Sequence, residues 1–254
     1  MQGGSIAGSR PGSRASGTLL SAALLIGMLI DPVFAEPDTP RWEMFSGFEA
    51  SNNYASGYVG GGYAFGNLYA PGWRVRAVGA YGRYHYDGAL FDGSDYVGTT
   101  FDGQVGFTSA QVGYQFRPAV VIVKLFAGIE AEDQHIEPRD PNNSVQGTEV
   151  GLRLVAETWY DISSRWFLSA DASYGTAFQE YCGLARVGFR VRPKLSLGVE
   201  GGALGNEEYD AGRGGGFVRV NFRELEATLS GGFTGDYLVE DPSGYVAVGL
   251  YRTF

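Results

Sequence analysis

Two histidines are the only imidazole bases that the chain offers for hydrolysis or acyl transfer. Such chemistry needs a nucleophile, a base and an orienting group within hydrogen-bond reach. His85 ends a predicted strand without an obvious serine partner, and His135 lies in a predicted acidic loop beside Asp133 and Glu137. We therefore interpret both histidines as solvated side chains and expect no enzymatic activity.

Oxygen-bearing side chains in the same predicted loop could surround a hard cation such as calcium. They are Asp133, Glu137, Asp140, Asn142 and Asn143. Their spacing does not match an EF-hand, so we favour a solvated loop. The single cysteine excludes an intramolecular disulfide and a cysteine-based zinc site. We expect neither a metal nor a cofactor.

The stretch 147–161 carries the clearest structural pattern. Residues such as Leu152 and Leu154 form a mostly apolar set, and they alternate with Glu149, Arg153 and Glu157. Period-two alternation is typical of a β-strand, and the stretch exceeds the nine to eleven residues, roughly, that a tilted membrane-spanning strand needs. Because a charged face cannot contact lipid, the pattern predicts a strand with one face toward lipid and one toward a lumen. A long strand of a soluble β-sandwich is the alternative from this stretch alone.

The same alternation in other strands places charges of both signs inside the predicted barrel. The candidate lumen charges are Glu149, Arg153, Glu157, Asp171, Arg186, Arg190, Glu200 and Arg219, together with Glu180, Arg223 and Glu226. Porins leave an aqueous channel at about sixteen strands or more. With about twelve strands, we expect a lumen that is narrow, crossed by ion pairs, or plugged.

About twelve strand-like segments follow one another along the chain. They lie near 42–51, 56–66, 73–86, 101–116, 120–131, 147–161, 165–175, 178–192, 194–204, 213–223, 225–234 and 244–254. Tight turns near 118, 163, 193 and 224 alternate with longer connections at 87–100, 132–146, 205–212 and 235–243. Short periplasmic turns and longer outer loops are expected of a bacterial outer-membrane barrel. The fold class is therefore predicted to be all-β, a transmembrane antiparallel β-barrel.

Aromatic residues and the chain end agree with this prediction. Aromatic side chains near the short turns predict an interfacial girdle, and they are Trp42, Trp73, Phe116, Trp159, Tyr160 and Trp166. The last strand ends at Phe254, and a terminal aromatic resembles the C-terminal signal of outer-membrane barrels. Arg252 departs from that signal, since an apolar residue is usual there.

Export is predicted from the N-terminus. Arg10 and Arg14 precede an apolar run, and small-residue cleavage is expected before Glu36, so residues 1–35 are interpreted as a signal peptide and 36–254 as the barrel. The net charge of −9 offers no basic field, so no nucleic-acid partner is expected. We predict a location in the outer membrane of a Gram-negative bacterium.

Several segments resemble the cellulose biosynthesis protein BcsS family. They are 202–210 with Arg213, 172–178 with Tyr181, 185–190, 140–147 and 81–86. The resemblance implies an outer-membrane protein that accompanies bacterial cellulose synthase. Its expected partners are outer-membrane lipid, cellulose, and components of the synthase or export apparatus. The favoured function is a non-enzymatic accessory barrel, and the runner-up is a small passive channel. A barrel enzyme that acts on lipid or glucan is the third alternative.

The loop 205–213 holds the most family-like motif, with Asn206, Tyr209, Asp210 and Arg213. Asn and Asp favour turns through local bonds to the backbone, so these residues are expected chiefly to fold the loop, with Asp210 able to pair with Arg213. A glucan contact is the alternative, because Tyr209 combines an aromatic face with a polar tip and the amide and carboxylate match sugar hydroxyls.

Overall fold

The computed structural model describes residues 39–235 and 243–254. The strands are β1 Trp42–Ala50, β2 Tyr54–Ala64, β3 Gly72–Phe91, β4 Tyr96–Phe116, β5 Val121–Glu137, β6 Gly147–Asp161, β7 Trp166–Gly175, β8 Tyr181–Arg192, β9 Leu195–Gly205, β10 Asp210–Phe222, β11 Leu225–Thr234 and β12 Ser243–Thr253. A 3-10 turn at Ala177–Gln179 joins β7 to β8. The predicted signal peptide lies outside the described residues. Among the described residues, no helix has the length and apolar character to cross a membrane.

The strands form one closed antiparallel barrel. Each strand pairs with its neighbours in sequence, and β1 pairs with β12, for example Phe45 opposite Tyr251. Closure satisfies the backbone hydrogen bonds around the wall, which a strand structure in lipid requires. The prediction of a twelve-stranded transmembrane barrel is confirmed.

The two faces of the wall differ as the alternation predicts. On β6, Leu152 and Leu154 are 61% and 55% exposed on the outer face, while Arg153 between them is buried inside. A closed barrel with an apolar outer face is the architecture of outer-membrane proteins, and the chain is one. The assignment of Trp159 to the aromatic girdle is wrong, because its side chain faces the lumen and stacks on Phe167 with ring centroids 4.5 Å apart.

The wall is taller on one side than predicted. The proposed connection 87–100 is wrong, since β3 and β4 stay paired up to Phe91 opposite Tyr96 and leave only 92–95 as a turn. β5 likewise continues to Glu137, which pairs with Asp102. Above the lipid the outer face of the strands becomes polar. The alternation of apolar and polar residues therefore disappears from the sequence, although strand pairing continues. For this reason the segment resembled a loop.

On the opposite side the wall is lower. Pairing of β6 with β7 stops at Arg153 opposite Gly175, so the outer end of β6 stands above its neighbour. Thr176 then bonds to the backbone of Leu152, the next residue of β6. The Thr176 N–H donates to the Leu152 carbonyl at 2.9 Å, and the Thr176 Oγ1 accepts from the Leu152 N–H at 2.8 Å. The turn after Gly175 therefore folds against the wall.

We predict that Leu154→Arg impairs assembly much more than Asp171→Asn. Leu154 faces lipid near the middle of β6, where an arginine should cost roughly 2 to 4 kcal/mol. Asp171 lies on the opposite face of the wall, beside Glu157 in the register, and serves as the matched control. The measurement is the fraction of each variant that reaches the heat-modifiable form in outer-membrane fractions. Equal fractions would contradict the assignment of faces.

Candidate functional site: a filled lumen beneath an extracellular cap

Charged side chains meet across the lumen in several clusters, and the first is centred on Glu157. Arg76 of β3 forms an ion pair with Glu157, and Lys124 of β5 lies 3.2 Å from the same carboxylate. The Lys124 ammonium also lies 3.8 Å from Glu43 of β1. The Arg76 guanidinium sits 4.0 Å from the ring centroid of Phe126. This cluster ties together strands that are not neighbours in the sheet.

A second cluster is centred on Glu200, whose side chain has no exposed surface. Its carboxylate accepts hydrogen bonds from Arg186 at 2.8 Å, Ser230 at 3.0 Å and the hydroxyl of Tyr245 at 2.7 Å. Arg213 adds a contact at 3.5 Å. A buried carboxylate is tolerated only when it is paired and hydrogen-bonded, and these partners from four strands meet that requirement.

Arg213 extends the second cluster to β1, three strands away around the barrel. It lies on β10, donates to Glu49 of β1 at 2.7 Å, and places its guanidinium 4.0 Å from the ring centroid of Tyr245. The expected pairing of Asp210 with Arg213 is therefore wrong. Asp210 instead accepts a hydrogen bond from the hydroxyl of Tyr181.

A third cluster surrounds Arg153 near the outer end of the lumen. Arg153 Nη1 lies 3.2 Å from Glu130 and 2.7 Å from Glu180, and Nη2 donates to Ser173 at 2.8 Å. Glu130 also accepts the N–H of Ala177 at 3.1 Å. The cluster thus fixes the turn that joins β7 to β8.

Aromatic rings fill the periplasmic part of the lumen. The guanidinium of Arg219 lies 5.2 Å from the ring of Trp159, 5.4 Å from that of Phe167 and 5.6 Å from that of Phe217. Arg219 also pairs with Glu226 at 3.2 Å. Cation–π contacts of this kind stabilise a guanidinium that has lost water.

The remaining predicted lumen charges occupy different settings. Arg190 forms an ion pair with Asp161 near the periplasmic end. Glu149 lies at the outer rim, where it accepts the N–H of Phe178 at 3.0 Å. Asp171 lies on the lumen face with water-accessible surface. Arg223 is not a lumen residue, since it lies in the turn between β10 and β11 with a positive φ of 54°.

A segment that the sequence did not flag covers part of the periplasmic end. Residues 65–71 join β2 to β3, and the carbonyl of Ala70 accepts from Gln115 at 3.0 Å. The carbonyl of Leu68 accepts from Arg74, which is 2% exposed. Tyr69 lies 3.5 Å from the hydroxyl of Thr253. The only available clue was a connection longer than the other periplasmic turns.

Three extracellular connections bond to one another, and we call residues 138–146, 176–180 and 206–209 the cap. The backbone N–H of Ser144 donates to Glu208 at 2.6 Å. The backbone N–H of Glu207 donates to the carbonyl of Phe178 at 3.1 Å, and Gln179 donates to the Glu207 carboxylate at 2.6 Å. Phe178, with a φ of 48°, is buried beneath these connections. The cap therefore links the tall wall to the low wall.

The family-like loop folds as part of the cap. Asn206 Oδ1 accepts the N–H of Glu208 at 2.9 Å, and the Asn206 N–H donates to the carbonyl of Tyr209 at 2.9 Å. These are the local turn bonds that Asn favours. Arg213 lies in the lumen, outside this turn. A glucan role for Tyr209 stays a prediction.

The candidate cation ligands and the histidines are arranged differently from the prediction. Asp140 accepts from the Asn142 N–H at 2.9 Å and from the Tyr86 hydroxyl at 2.8 Å, so it orders its loop.

His85 and His135 lie within β3 and β5 and are exposed, rather than at a strand end and in a loop. In residues 39–235 and 243–254, no group of three acidic, His or Cys side chains is placed to hold a metal ion.

Comparison with known proteins finds a matching family and solved structures of similar fold. A family model described as cellulose biosynthesis protein BcsS matches residues 44–254. An outer membrane channel from Pseudomonas putida F1 has 13% identity and a TM-score of 0.53, and the match covers 89% of this chain and 100% of that one. The KdgM porin has 9% identity and a TM-score of 0.48, covering 84% and 99%. At 13% identity, the likeness to the Pseudomonas putida channel is one of fold alone. No curated protein sequence matches the chain.

We predict that Arg213→Met destabilises the barrel by about 3 kcal/mol, because it removes the ion-pair partner of Glu49 and one of the two arginines beside Glu200. Arg192→Met is the matched control, since Arg192 is exposed at a periplasmic turn. The measurement is the urea midpoint of unfolding in lipid vesicles. If Arg213→Met and Arg192→Met had the same urea midpoint, a structural role for the ion pairs would be contradicted.

Proposed function

The chain belongs to the cellulose biosynthesis protein BcsS family, and on that premise we propose that it is a non-enzymatic accessory protein of cellulose biosynthesis or secretion in the outer membrane. In this proposal it acts through surfaces that contact the glucan or the export apparatus. The lumen serves as the interior that holds those surfaces in place.

The observation that carries the proposal is the set of polar bonds that cross the lumen. Arg213 reaches from β10 to Glu49 on β1 at 2.7 Å, and Tyr245 of β12 reaches Glu200 on β9 at 2.7 Å. A polymer that passed through the lumen would have to separate such pairs. Separating a buried pair costs roughly 3 to 5 kcal/mol, so a permanent glucan path is disfavoured.

The positions of the two histidines support a non-enzymatic role. Both point to the outer face of their strands and are exposed, away from the lumen clusters. A general base works within hydrogen-bond reach of a nucleophile in a site that excludes water. We therefore expect purified protein to release no product from phospholipid or cello-oligosaccharides.

A small passive channel is the second candidate, and one observation favours it. Asp171 faces the lumen and has water-accessible surface, so part of the interior admits solvent. Small solutes rather than a glucan would then pass between the clusters.

The test of the proposed function is deletion of the gene, with cellulose assayed separately in the periplasm and outside the cell. We predict less cellulose outside the cell in the deletion strain, and recovery when the wild-type gene is restored. The matched control restores the Leu154→Arg variant, which should assemble poorly and recover little. Unchanged cellulose in both compartments would contradict a role in this pathway.

A further inference from the structure

The tall side of the wall carries a long exposed face, which we call the outer ribbon face. It consists of Tyr81, Arg83, His85, Asp87, Ala89 and Phe91 on β3 and of Tyr96, Gly98, Thr100, Asp102 and Gln104 on β4, all of them exposed. At a rise of about 3.3 Å per residue, the face runs roughly 33 Å from Tyr81 to Phe91.

The opposite face of the ribbon is occupied by the protein itself. Tyr86 and Phe101 stack with centroids 5.2 Å apart, and the Tyr86 hydroxyl donates to Asp140 of the cap. The cap therefore supports the ribbon from the inside. The outer ribbon face is left toward the surroundings of the barrel, beyond the apolar band that meets lipid.

An aromatic pair lies at the outer end of the outer ribbon face, next to the turn 92–95. Phe91 and Tyr96 lie opposite each other, with centroids 5.4 Å apart, and are 56% and 72% exposed. The turn that carries them is rigid, because Asp92 Oδ1 accepts the N–H groups of Ser94 at 2.9 Å and Asp95 at 3.0 Å. These backbone hydrogen bonds, from Asp95 first, lower the pKa of Asp92, so the turn stays negatively charged.

Polar side chains along the face are held in place by one another. The Thr100 hydroxyl donates to Asp87 at 2.6 Å, and the Tyr81 hydroxyl donates to Gln104 at 2.7 Å. Arg83 Nε donates to the Tyr81 hydroxyl at 3.1 Å. Pre-organised groups bind a ligand with a smaller loss of conformational entropy.

Small residues keep the face flat next to the aromatic pair. Ala89 lies opposite Gly98, and a Cβ placed on Gly98 would have no heavy atom within 4 Å. An extended polymer could therefore pass from the Asp87 and Thr100 row to the aromatic pair without meeting a protruding side chain at Ala89 or Gly98.

The charges of the outer ribbon face favour a neutral polymer over an anionic one. Asp87, Asp92 and Asp95 lie at its outer end, Asp102 lies in its middle, and Arg83 lies nearer the lipid. Such a surface repels phosphate-rich lipopolysaccharide. A neutral polyhydroxyl chain suits it, since carboxylates accept hydroxyl protons and aromatic rings offer an apolar face with, in Tyr96, a polar tip.

We propose that the outer ribbon face is the docking surface for a neutral β-glucan chain outside the membrane. The proposal rests on the proposed function and gives its glucan contact a location. That location is the β3–β4 ribbon rather than the loop 205–213, whose Asn206 and Asp210 are engaged within the protein.

The test measures retention of the detergent-purified, full barrel on insoluble cellulose, with soluble cellohexaose as competitor. The double variant Phe91→Ala, Tyr96→Ala should bind about tenfold more weakly, on the scale of aromatic contacts. Gly98→Val should also weaken retention, because it places a branched side chain in the flat stretch beside the aromatic pair without removing a contact. Phe65→Ala is the matched control, since Phe65 is equally exposed at the periplasmic end, and it should bind like wild type.

Two results would overturn the docking surface. One is equal retention of the wild type and the double variant, when both are folded by heat-modifiable mobility. The other is retention of lipopolysaccharide micelles instead of cellulose by the wild type. Complementation separates this proposal from the proposed function. A deletion without effect on cellulose contradicts both, whereas a deletion phenotype that the double variant fully restores contradicts the docking surface alone.

Discussion

The structure depends on one constraint: charged side chains that face the inside of a membrane barrel must find partners there. Lipid lies on the other side of the wall, and several of these charges, such as Glu130, Glu200 and Arg219, are buried, although Asp171 keeps water-accessible surface. Glu200 meets the constraint with bonds from Arg186, Ser230 and Tyr245, each from a different strand. These bonds make the lumen a polar core that holds the wall together, as an apolar core does in a soluble protein.

The covered ends of the barrel follow from the same constraint. At the outer end, Glu130 binds both Arg153 and the backbone of Ala177, so the central charges extend into the cap. At the periplasmic end, Arg74 and Gln115 bind the carbonyls of residues 65–71. The cap also supports the inner face of the tall ribbon. A rigid interior therefore fixes the surfaces that project from the membrane, which is the property an accessory protein needs at a site of polymer export.

Sequence patterns predicted the fold well where lipid contact imposes alternation. The faces of β6, with Leu152 outside and Arg153 inside, follow from period two alone. The patterns failed above the lipid, where the outer face of the β3–β4 ribbon carries polar residues although strand pairing continues. They also failed for partners far apart in sequence. Arg213 is 164 residues from Glu49, and only closure of β1 against β12 brings the two together. Trp159 was misplaced because an aromatic residue near a turn suits a girdle and a lumen cluster equally.

Single-channel conductance of the purified barrel in planar bilayers tests the central claim, that crossing ion pairs fill the lumen, most directly. The account predicts small or absent ohmic steps for the wild type, and larger steps when Arg213 and Glu49 are both replaced by alanine, since the pair that spans the lumen is then gone. Large, steady wild-type conductance that cello-oligosaccharides block from either side would contradict the account and make the lumen a glucan path.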